Sequence, residues 1–98
     1  MITWFIEDTD EGEEICKASE MEGLRNWAAA LDDDLPLFFD LVPWEDLVPA
    51  ANVPQLAAEI DIMLSRTDAA PEWTVQRLRA MRTVAQRARR AGRGVAIG

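Results

Sequence analysis

The chain has no histidine and a single cysteine, Cys16. A structural zinc site needs about four Cys or His ligands, and the common nucleophile–base pairs of enzymes use an imidazole as the base. Both chemistries are therefore excluded, as is an intrachain disulfide. Carboxylates alone can support catalysis, but no pair of acids here has a recognisable catalytic spacing, so the chain reads as a non-enzyme without a cofactor. Long apolar runs are missing too: none approaches the roughly 18 residues needed to span a bilayer. The opening MITWFIEDTDEGEE is acidic where a signal peptide is basic. The expectation is a cytoplasmic protein with no membrane contact. Glycine-rich phosphate cradles are absent, because GRG at 92–94 follows a helical pattern instead of preceding one. No internal repeat and no linker divides the 98 residues, which read as one domain.

What is present is charge, unevenly placed. The formal net charge is -8. Residues 1–65 carry sixteen acids against Lys17 and Arg25, a balance of -14, whereas residues 66–98 carry eight arginines against Asp68 and Glu72, a balance of +6. Seven of the ten basic residues lie between Arg77 and Arg93. Apolar residues make up 49% of the chain, enough for a folded core and too many for a disordered tail.

Periodicity predicts an α+β fold. ITWFI (Ile2 to Ile6) is rich in β-branched and aromatic residues, and EICKA (Glu14 to Ala18) alternates more weakly, so a hairpin with a charged loop is expected. Ser19 and Glu22 have the spacing of a capping box, followed by an apolar stripe at Met21, Leu24, Trp27, Ala28 and Leu31. Pro36, Pro43 and Pro49 forbid a long helix or a central strand in LPLFFDLVPWEDLVPAA. A short helical turn and an extended piece across the core are expected there. Asn52, Pro54 and Gln55 signal a second helix, with Val53, Leu56, Ala57, Ile60, Met63 and Leu64 on one face and Ile62 elsewhere. Pro71 and Glu72 open a third, with Asp68 as a cap candidate, an apolar stripe at Leu78, Met81, Ala85 and Ala88, and Gly92 as its stop. GVAIG is read as a third strand beside the first. The expected architecture is a small antiparallel sheet, made of the N-terminal hairpin and the C-terminal strand, packed against about three helices. An all-helical bundle is the alternative.

Two charged constellations are candidate binding surfaces. On a helical projection Arg79, Arg82, Arg89, Arg90 and Arg93 fall within about a third of the circumference, with Arg77 and Arg87 off the cluster. Arg-rich helices grip phosphates, which makes a nucleic-acid-associated regulator one reading. The sixteen acids of the same small domain argue against it, and the arginines are expected to be balanced mostly by the protein's own carboxylates. The second constellation is acidic: Glu7, Asp8, Asp10 and Glu11 in one turn, Asp32, Asp33 and Asp34 in another, and Trp44 beside Glu45 and Asp46. No register fits a calcium loop. Starting at Asp8 the fifth position is Gly12, and starting at Glu7 the twelfth is Ala18. Clustered surface carboxylates suit a basic protein partner, since complementary potential raises the on-rate and fixes orientation. Tryptophan is enriched at interface hot spots, so Trp44 is the candidate anchor.

The run LPLFFDLVPWEDLVPAANVPQLAAEIDIML, followed by the arginine- and alanine-rich segment and the terminal GVAIG, resembles a group of small acidic bacterial proteins of the toxin-immunity type. The resemblance covers roughly residues 35–98, rests on structural motifs, and transfers no functional residue. Ala50 and Ala51 stand where a bulkier apolar residue is expected. It implies a protein that neutralises a basic, toxin-like partner. A self-associating module is a third reading, in which the arginine helix of one chain meets the acidic loop of another as a homodimer.

Overall fold

A computed structural model describes residues 1–41 and 47–98, with the side chains of 40 and 41 outside that description. Trp44, Glu45 and Asp46 lie outside the described residues. The chain forms β1 (Ile2–Ile6), β2 (Gly12–Cys16), α1 (Ala18–Ala29), a π-helical turn (Leu37–Leu41), β3 (Leu47–Val48), α2 (Val53–Leu64), α3 (Glu72–Ala91) and β4 (Val95–Ile97). The four strands make one antiparallel sheet in the order β2-β1-β4-β3. The α+β class, the hairpin and the pairing of GVAIG beside β1 are as expected. The all-helical alternative is not.

Several local expectations are corrected. The second strand begins at Gly12 and ends at Cys16, two residues earlier than the sequence pattern at each end, because Ala18 already belongs to α1. That helix is not capped from Ser19. Glu20 takes the role, its carboxylate accepting the Lys17 backbone N–H at 2.9 Å, which satisfies a donor that the helix start leaves over. Asp68 does not cap α3. It sits in a separate turn at Thr67–Ala69, and the Pro71 carbonyl accepts from the Thr74 N–H instead. The proline-rich stretch supplies a helical turn and an extended piece, but the extended piece does not cross the core: it is β3, an unexpected fourth strand of two residues at the sheet edge, ended by Pro49. Proline tolerates that place because it removes a ladder donor only at the rim.

The core lies between the sheet and the helices. Trp4 and Ile6 of β1, Ile15 and Cys16 of β2, Val48 of β3 and Val95 of β4 are buried. They meet Leu24 and Ala28 of α1, Leu56, Ile60 and Met63 of α2, and Leu78, Met81, Ala85 and Ala88 of α3. Trp27 and Leu31 are half-buried at the margin of this core, and Ile62 is exposed as the pattern predicts. Each buried Leu, Ile or Met contributes about 1.5–3 kcal/mol by leaving water. Against the ordering entropy, this leaves a net stability of roughly 5–10 kcal/mol for a domain of this size.

Candidate functional site

α3 sets the charge distribution. One of its faces is buried in the core, and the other carries Arg79, Arg82, Thr83, Gln86, Arg87 and Arg90 around an open groove of about 620 Å³. Positions 79, 82, 83, 86 and 90 follow the three- and four-residue steps of a helix face. Arg87, set apart by the projection, lines the same groove, four residues after Thr83 and three before Arg90. Arg93 is the opposite case. α3 stops at Ala91, Gly92 turns into the left-handed region at φ 66°, and Arg93 is thereby directed to the hairpin. There its guanidinium lies 3.6 Å from Asp8 and donates to the Glu7 carbonyl at 3.4 Å.

Three arginines of the Arg77–Arg93 run meet a carboxylate. Arg77 is 3.4 Å from Glu20, Arg82 is 2.9 Å from Asp61, and Arg93 reaches Asp8. Among the described residues Arg79, Arg87, Arg89 and Arg90 have no carboxylate within ion-pair distance. The expected balancing at home therefore holds for fewer than half of these cations. The ion pairs that do form are solvent-exposed or half-exposed, and such pairs contribute about 0–1 kcal/mol.

The acids divide in the same way. Glu7 is half-buried and accepts the Gly94 N–H at 3.1 Å, and Asp8 faces Arg93. Asp33 is turned inward and held by Arg66 at 3.1 Å, while Asp32 and Asp34 are exposed. Asp10, Glu11, Glu13 and Glu14 stand in solvent along the hairpin and β2, with no cation in ion-pair distance among the described residues. Asp8 and Asp32 both adopt positive φ, near 60°, which short polar side chains tolerate in turns.

β2 adds backbone chemistry to those carboxylates. Thr3 and Gly98 exchange both hydrogen bonds across β1 and β4, at 2.7 and 2.9 Å, so the backbone groups of Thr3 and Phe5 point toward β4. Antiparallel strands alternate their pairing. Trp4 therefore pairs toward β2 with Glu13, which leaves the N–H and C=O groups of Gly12 and Glu14 directed outward. β2 is an edge of the sheet: β1 pairs with its inner side, and among the described residues no strand pairs with its outer side.

One carboxylate that the sequence does not single out is structural. Glu59, on α2, is buried, and its two oxygens accept the Phe38 N–H at 2.9 Å, the Leu37 N–H at 3.2 Å and the Gln55 amide at 3.1 Å. It ties the start of the π-helical turn to α2. The available signal was its position, three residues after Leu56 and four before Met63, on the apolar face of the helix. A charged residue there must find partners or destabilise the core.

Among the described residues no three Cys, Asp or Glu side chains converge on a point suited to a metal ion, and no helix is long and apolar enough to cross a membrane. Compared with protein-family models, with curated proteins and with solved structures, the chain matches none.

Proposed function

We propose that this chain is a non-catalytic binding protein of the immunity or inhibitor type, which neutralises a basic protein partner through its acidic hairpin. The supporting observation is the coincidence at β2 of exposed, unneutralised carboxylates (Asp10, Glu11, Glu13 and Glu14) with outward-pointing backbone groups of Gly12 and Glu14. The net charge of -8 steers a cationic partner from a distance, and the open edge offers it main-chain hydrogen bonds on arrival. Asp32 and Asp34 extend the negative surface, and Trp44, Glu45 and Asp46 belong to the proposal on the sequence alone. A stable complex of this kind buries about 800 Å² on each partner.

The experiment is affinity capture from the native host, followed by quantitative binding to the captured protein. The expected partner is basic, and its association slows several-fold when salt rises from about 50 to 200 mM, as steering is screened. The triple variant Glu11→Lys, Glu13→Lys, Glu14→Lys is expected to abolish binding while the chain stays folded. Binding that ignores both salt and this charge reversal refutes the electrostatic reading.

A further inference from the structure

The groove on α3 lies apart from the β2 edge and is opposite in sign. We infer that it is a second binding surface, one that takes the phosphate backbone of single-stranded nucleic acid. Three features carry this. Of the arginines that line it, Arg79, Arg87 and Arg90 have no internal carboxylate partner among the described residues, so their charge is available. All the cations are arginines, whose planar fork pairs with phosphate oxygens two at a time. From Arg79 to Arg90 the strip runs eleven residues, about 16 Å at 1.5 Å per residue, long enough to follow several phosphates.

The lining also selects among polyanions. The groove presents only Arg, Thr and Gln side chains, and so lacks the apolar centre on which protein interfaces are built. It has no aromatic face on which a base would stack, so the contacts fall to the phosphates, which carry no sequence information. Thr83 already donates to the Arg79 carbonyl at 3.0 Å, leaving the guanidinium groups and the Gln86 amide as donors. Carboxylates flank the strip on both sides. Asp61 lies against Arg82, and Glu11 lines the neighbouring depression shared by Arg87, Arg90 and Arg93. A duplex, with phosphates on both walls of a groove about 12 Å wide, would bring charge over those acids. A flexible single strand passes between them.

Fluorescence anisotropy tests this with four probes: labelled oligo-dT, a labelled duplex of equal length, inorganic polyphosphate and polyglutamate, the last two as competitors. Oligo-dT is expected to bind in the range of about 10⁻⁴ to 10⁻⁶ M at 50 mM salt, and three or four phosphate contacts weaken it about 20- to 50-fold by 200 mM. The variant Arg87→Gln, Arg90→Gln lowers the magnitude of the salt slope by about 1.4, at roughly 0.7 per contact. Arg66→Gln, which removes a charge beside Asp33 instead, leaves the slope unchanged. Circular dichroism confirms that each variant keeps its fold. The inference is overturned by no anisotropy change at about 100 µM protein, by a slope indifferent to Arg87 and Arg90, by duplex binding as tight as single strand, or by polyglutamate or polyphosphate binding where oligo-dT does not. None of these results depends on the β2 edge, so the two proposals fail separately.

Discussion

Glu59 is buried on α2 and gives its carboxylate oxygens to three donors, whereas Glu13 and Glu14 stand in solvent on β2 with no cation to hold. The same side chain is a strut in one region and free charge in the other. The difference is one of dielectric. A carboxylate taken out of water loses several kcal/mol of hydration unless donors replace it, and Glu59 recovers that through two backbone N–H groups that the π-helical turn would otherwise leave unpaired. At Glu13 and Glu14 water supplies the solvation, and among the described residues the fold imposes no cation. Charge that the fold does not use is the charge available for binding.

Removing the strut tests this division most severely. Glu59→Leu deletes the acceptor for the buried Phe38 N–H and the half-buried Leu37 N–H and leaves both without that partner, an expected loss of about 3–5 kcal/mol. Set against a total of roughly 5–10 kcal/mol, that brings the domain near its unfolding threshold. Glu59→Gln keeps one acceptor oxygen but turns an amide toward a donor, with an expected loss of about 1–3 kcal/mol. Urea denaturation of both variants measures the difference. If Glu59→Leu unfolds at the same midpoint as the parent protein, the strut is not one.

Gly12→Ala is expected to be next in size. A Cβ at this position would sit 2.4 Å from the Trp4 carbonyl oxygen and 2.7 Å from the Phe5 ring, so the hairpin must open or shift register. Overpacking of this kind costs about 1–3 kcal/mol. Proteolysis is then expected to begin in residues 7–14, because the ties of that loop to the body, Glu7 to the Gly94 N–H and Asp8 to Arg93, are exposed or half-exposed where that of Glu59 is buried.

Cys16 lies between the two regimes, a buried group able to ionise. Burial pushes its thiol pKa up, and the nearby Glu20 carboxylate adds to this, against opposing effects from Arg77 and the N-terminus. A raised pKa means that the unfolded chain releases the thiol proton first. Stability is then intact below the ordinary thiol range and falls as pH climbs through it. The chain has no tyrosine and one lysine, so few other groups obscure the effect. Urea midpoints between pH 7 and 10 are expected to decline in the parent protein and to stay flatter in Cys16→Ala. Thiol reagents should modify the native protein slowly and the unfolded protein at once.

Much of this fold was legible because its elements follow local rules. The two-residue alternation at Ile2–Ile6, the helical step through Leu78, Met81, Ala85 and Ala88, and the glycine that ends α3 depend on neighbours in sequence. The parts that were not legible depend on neighbours in space. β3 is two residues long and exists because Leu47 and Val48 find Ala96 and Val95. Glu59 is explained only by the N–H groups of Leu37 and Phe38, twenty-two and twenty-one residues away in the chain. The arginine cluster was readable as a helix face up to Ala91. Beyond it the positive φ of Gly92 redirects Arg93 to the hairpin, and a projection that assumes a continuing helix misplaces that residue.

The exposed glutamates of β2 contribute least to the fold. Glu13→Gln and Glu14→Gln remove charges that touch no cation, so unfolding free energies are expected to move by no more than about 0.5 kcal/mol. The sign is informative. Glu11, Glu13 and Glu14 share one short edge within a chain of net charge -8, and neutralising two of them relieves self-repulsion, which makes a slight stabilisation the expected outcome. Edge strands also use like charge to deter pairing with themselves. Two β2 edges brought together would place glutamates opposite glutamates, and the double variant Glu13→Gln, Glu14→Gln is expected to self-associate more readily than the parent in sedimentation velocity at high protein concentration. A more stable, monomeric double variant would separate these two roles and leave solvation alone as the reason for the charge. A clearly destabilised one would mean that these carboxylates have a partner within the fold, and the division between strut and free charge would no longer hold.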